Sequence, residues 1–75
     1  MIKIARSKIT SSFAKQSMMQ TFGAVIDEMS DGAIVLSAPI RPIALQQHGF
    51  VHAGLTFALG DSAAGYAALT MMADE

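Results

Sequence analysis

The first regular pattern along the chain is a set of large apolar side chains, Phe13, Met18 and Phe22, placed among polar ones at a spacing loosely suited to one helix face. Thr10-Ser11-Ser12 offers N-cap hydroxyls ahead of it and Gly23 stops it, which predicts a helix over 12–22 behind a loosely held lead-in at 1–9. Two strand-like runs follow, Ala24–Met29 and Ala33–Ala38, joined by Ser30-Asp31-Gly32, the composition of a tight antiparallel hairpin over 24–38. The second run is the more continuously apolar and is expected deeper in the sheet, while Asp27 and Glu28 keep the first partly exposed. Pro39 and Pro42 cannot donate to a ladder, so 39–53 reads as a loop leaving the sheet. From Gly54 the pattern predicts a helix over 54–73. Its polar interruptions are Thr56, Asp61, Ser62, Tyr66 and Thr70, and such a helix is expected to be buried on most sides. Gly60, Ala63, Ala64, Gly65, Ala67 and Ala68 keep it thin, at about 1 kcal/mol for each interior glycine, so a close neighbour is expected.

Composition sharpens that expectation. Of 75 residues, 52% are hydrophobic and 15% charged, for a formal charge of −1. Ordinary soluble domains carry about 25% charged residues, and a chain this short buries only about 60% of its unfolded surface. The excess apolar surface calls for cover from a second copy or from further sequence. With no cysteine, disulfides, thiolate metal sites and cysteine nucleophiles are excluded together. Lys3, Arg6, Lys8 and Lys15 precede any acid, which suits an organelle transit peptide as well as an ordinary N-terminal helix, the reading preferred here. Residues 1–15 build no apolar core of a secretory signal, and the cytoplasm is the expected location. A membrane span over 50–73 would bury Asp61 in hydrocarbon without a partner, and nucleic acid would want a basic stripe that is missing.

Candidate chemistry gathers between Gln46 and Met72, which hold both histidines, four of the six glycines and the only acid between Asp31 and Asp74. His48 and His52 are four apart, a zinc spacing on a helix, but Gly49 and the loop setting weaken it and only Asp61 could add a ligand. No metal is expected. The free N–H groups of a helix start, here Ala53 and Gly54, can polarise a carbonyl, and Asp61 lies close to two turns beyond Gly54 on the same side. An acid alone in an apolar helix has few purely structural explanations beyond local hydrogen bonding or capping a kink.

The order of helix, hairpin, a loop reading HGFVHAG, a helix with aspartate nine residues after the second histidine, and then AAGYAA resembles the N-terminal half of a hotdog-fold thioesterase, over about residues 12–75. More narrowly it is similar to acyl-CoA thioesterases of the phenylacetic-acid-degradation type. The resemblance implies an α+β fold in which a curved antiparallel sheet wraps the long helix. It also implies three further strands after that helix, carrying part of the dimer interface and substrate groove. The family's usual His-Gly-Gly reads His52-Ala53-Gly54 here, and the extra methyl at 53 is expected to crowd a thioester. Asp61 takes the place of the nucleophile or general base. The amide of Ala53, with that of Gly54, takes the place of the carbonyl-polarising donors. Gln46 matches the polar residue that contacts the thioester or orients water, a role Gln47 could fill instead. His52 corresponds to the histidine that shapes the turn; Phe50, Phe57, Met71 and Met72 read as core or acyl-pocket lining. The implied activity is hydrolysis of aryl or medium-chain acyl-CoA, without metal or cofactor. It is carried by a homo-oligomer, dimer or tetramer, whose acid and amide donors come from different subunits. The alternative is a truncated, inactive hotdog remnant that self-associates or binds acyl groups without catalysis.

Overall fold

A computed structural model of the chain describes residues 4–73. In order, the elements are α1 (Arg6–Ala14), α2 (Ser17–Phe22), β1 (Val25–Ser30), β2 (Ala33–Ser37), a 3-10 turn (Pro42–Ala44) and α3 (Ala53–Leu69). The arrangement is α+β and partially hotdog-like, a two-stranded antiparallel hairpin laid against one 17-residue helix.

The N-terminal region departs from its local signals. Helix α1 is already formed at Arg6, inside the segment expected as a lead-in, because Ile9 and Phe13 lie one turn apart and enter the core together. Thr10 and Ser12 are interior residues instead of caps, and the Thr10 hydroxyl donates to the Arg6 carbonyl oxygen at 3.2 Å. Where one helix over 12–22 was expected, the chain breaks at Gln16, whose backbone is extended (φ −80°, ψ 101°). The break re-aims α2, so that Met19 is buried at 1% exposure while Met18 stays out at 53%. Gly23 ends α2 in the left-handed conformation (φ 69°), and the N–H groups of Gly23 and Ala24 close on the carbonyls of Gln20 and Met19.

In the hairpin, Val25 pairs with Ser37 and Ser30 with Ala33 around Asp31-Gly32, with φ 75° at Gly32. A bulge between Ile26 and Glu28 leaves Asp27 as the extra residue. Regular strands send every second side chain to one face, so Ile26 and Met29, three apart, could not share one. The bulge adds the missing step, and both join Ile34, Leu36 and Ala38 on the side packed against the core. The hairpin tip is tied down by the buried Thr70, whose Oγ1 accepts the Gly32 N–H at 2.7 Å, with an exposed Arg6–Asp31 pair at 3.8 Å beside it.

Helix α3 ends at Leu69 and not at 73, because its last turn tightens. The N–H groups of Met71 and Met72 reach back three residues, and the Thr70 hydroxyl donates to Ala67 O at 2.6 Å. Burial on most sides is also corrected: along α3 only Leu55 and Tyr66 are buried, and a stripe through Phe57, Gly60, Asp61, Ala64, Gly65 and Ala68 faces solvent. A hairpin covers one side of a helix, and the described residues hold no other sheet to cover the rest. The radius of gyration, 13.7 Å, accordingly exceeds the value of about 11 Å for a compact domain of this length. Among the described residues no helix is long and apolar enough to cross a membrane.

Candidate active site

The loop before α3 is stitched by its own backbone. Leu45 and Val51 form an isolated bridge, the Gln46 N–H donates to Phe50 O at 2.8 Å, and Gly49 (φ 83°) turns the chain between them. The Gln46 side chain folds onto this loop, its Oε1 accepting the His48 N–H. The carbonyl end of Gln46 is therefore engaged, and its NH2 group donates to no described residue. His48 does not share a metal cluster with His52: no group of three His, Asp or Glu among the described residues could hold an ion.

His52 is the N-cap of α3. Its extended backbone (φ −67°, ψ 134°) is held by its N–H donating to Ala44 O at 2.8 Å, and its ring Nδ1 accepts the Gly54 N–H at 2.8 Å, as Asn or Asp would do. Of the two amides expected as donors, Gly54 N–H is thus occupied, while Ala53 N–H donates to no described residue. His52 and Gly54 border an apolar groove of about 250 Å³ between α2, the 3-10 turn and the start of α3.

Asp61 belongs to a different cavity. It is exposed at the edge of a second groove of about 250 Å³, whose wall is Gln16, Ser62 and Tyr66. The Tyr66 hydroxyl accepts from Gln16 Nε2 at 2.7 Å and shares a bond with Ser12 Oγ at 3.0 Å, its ring meets Phe13 edge-on at 6.1 Å, and Ser62 Oγ donates to Gln16 Oε1 at 3.4 Å. Eight residues from Ala53 to Asp61 are about 12 Å of helix axis. The structure therefore groups His52, Ala53 and Gly54 at the start of α3, keeps the Gln46 side chain on its own loop, and sets Asp61 apart from both. Phe50 and Phe57, 71% and 76% exposed, are outside the chain's core, as are Met71 and Met72. Gln16 and Tyr66, which build the wall beside Asp61, were not singled out from sequence; a lone tyrosine in an apolar helix was the signal, since a buried hydroxyl needs a partner.

No protein-family model and no curated protein sequence matches the chain. Among solved structures, a thioesterase family protein from Silicibacter pomeroyi is 44% identical with a TM-score of 0.86, over 91% of this chain and 50% of that one. A hypothetical protein from Staphylococcus aureus is 30% identical with a TM-score of 0.70, over 75% of this chain and 46% of that one. The chain spans about half the length of the solved proteins it resembles. In sequence and in fold together, the likeness supports the thioesterase family for this chain.

Proposed function

We propose that the chain contributes to hydrolysis of acyl-CoA thioesters, with aryl or medium-chain acyl groups as in the phenylacetic-acid-degradation type. The observation that carries the reading is the open Ala53 N–H at the start of α3, in a chain similar to a thioesterase family protein. That amide, with the helix dipole behind it, polarises the thioester carbonyl. Asp61 acts on the carbonyl carbon, either as nucleophile or by taking a proton from water. The C–S bond breaks, water supplies the hydroxyl of the acid, and coenzyme A leaves as the thiol. Neither metal nor cofactor is required.

One chain does not supply both halves of this site. A carbonyl bond is about 1.2 Å long and its partners stand about 3 Å away, whereas about 12 Å of helix separates Ala53 from Asp61. We therefore assign the acid to a second copy in a homo-oligomer, dimer or tetramer, and we propose the cytoplasm as the place of the reaction. The separation of the two grooves equally favours a second reading, a self-associating chain that binds acyl groups without cleaving them. Thiol release from phenylacetyl-CoA and hexanoyl-CoA separates the two. Release by the native chain that is lost in Asp61→Asn is expected, and a native chain no faster than buffer sinks the catalytic reading.

A further inference from the structure

The guanidinium of Arg41 has a seat in the fold and, among the described residues, no partner. A Cβ at Gly23 would lie 2.8 Å from Arg41 Cζ and 2.8 Å from each of its two Nη atoms. Equal distances from three atoms of one flat group put that point over its face, so the guanidinium lies flat on the glycine. Its N–H groups lie in the plane and therefore point sideways, away from the surface it rests on. Gly23 is thus fixed twice, by its left-handed backbone (φ 69°) and by the side chain lying over it. Yet no described residue accepts a hydrogen bond from this guanidinium or pairs with its charge.

Arg41 is also fixed relative to the groove beside α3. Its backbone is extended (φ −117°, ψ 158°), as suits a residue ahead of proline, and its carbonyl oxygen accepts the Ala44 N–H at 2.8 Å. Ala44 O in turn accepts the His52 N–H at 2.8 Å, so two backbone bonds tie Arg41 to the start of α3. Phe22, next to Gly23, and Ile43, two residues after Arg41, both belong to the groove wall. The guanidinium therefore stands at the rim. Within the groove His52 is the one polar side chain of the wall, and the other four basic residues of the sequence lie in its first fifteen positions.

An acyl-CoA ester has two unlike ends, an uncharged acyl thioester and a nucleotide carrying phosphates. An apolar groove with one open cation at its rim matches that division. We propose that Arg41 binds a phosphate group of the coenzyme A moiety and so selects coenzyme A esters over simpler thioesters. A fork held flat by Gly23 keeps two parallel N–H donors available for a phosphate, with little side-chain freedom left to lose. The identity of the phosphate carrier rests on the acyl-CoA reading; the seat and the open donors do not.

The test adds coenzyme A, pantetheine and inorganic phosphate in turn to the full native chain and follows the Arg41 Nε–H and Gly23 N–H signals in proton–nitrogen spectra. Coenzyme A is expected to shift both, binding about tenfold more tightly than pantetheine or phosphate. In thiol release, Arg41→Gln is expected to raise KM for phenylacetyl-CoA about tenfold with kcat within about twofold of native. Arg41→Lys, which keeps the charge but not the fork, should fall between. Neither variant should change kcat/KM for S-phenylacetyl-N-acetylcysteamine, the same thioester without phosphates. Equal losses on the two thioesters, coenzyme A bound no better than pantetheine, or inorganic phosphate bound as tightly as coenzyme A overturns the assignment. If Arg41→Gln does not fold, the native titrations and the KM of Arg41→Lys decide. A native chain that releases no thiol removes the catalytic reading, and the titrations still decide the phosphate site.

Discussion

Thr70 Oγ1 accepts the N–H of Gly32 at 2.7 Å while donating to Ala67 O at 2.6 Å, so one buried hydroxyl joins the hairpin tip to the last turn of α3. At 3% exposure neither bond can be replaced by water without opening the structure. Thr70→Val keeps the shape and strands the Gly32 N–H, and it is expected to cost about 1–3 kcal/mol in urea unfolding. Thr70→Ser, which keeps the hydroxyl, should cost less than half of that.

Tyr66 offers a second hydroxyl with a different burden. Tyr66→Phe retains the edge-on contact with Phe13 but leaves Ser12 and Gln16 without their shared partner. A loss of about 0.5–1.5 kcal/mol is expected from thermal melting, with α1 the first region to lose amide protection.

On the open face of α3, a methyl group at Gly60 or Gly65 would meet no atom within 4 Å. Under dilute conditions Gly60→Ala and Gly65→Ala should each stabilise the chain by about 0.5–1 kcal/mol, as helix propensity dictates. Destabilisation by either at low concentration would mean that the face is already filled.

A homo-oligomeric site requires a particle heavier than one 7.9 kDa chain. Light scattering at working concentration is expected to give two or four times that mass. A monomer mass together with a single cooperative melt would remove the second copy from the proposed site.

The hairpin and α3 were legible because their signals are local. Ser30-Asp31-Gly32 carries its own turn chemistry, and the alanine-rich run after Gly54 admits little but helix. The N-terminal helices were not, since what places them is distant: Ile9 and Phe13 are buried beside Tyr66, and Ser12 meets that tyrosine 54 residues away. Thr10 and Ser12 even pointed the wrong way, offering caps to a helix that had already begun. At the candidate site, Asp61 stood out as a lone acid and the Ala53–Gly54 amides as a helix start. Gln16 did not stand out, because a glutamine at a helix break has no local mark. The direction of the His52 ring, which divides the two amides, is likewise a matter of rotamer and not of residue type.

The bulge at Asp27 makes length, and not chemistry, the guarded property of β1. Almost any side chain could stand at that exposed position, yet removing the residue would turn one half of the strand over and send Ile26 or Met29 out into water. Proteins sharing this hairpin should therefore vary freely in what lies between those two apolar positions while keeping two residues there, and a one-residue deletion should be more damaging than any substitution at the same site.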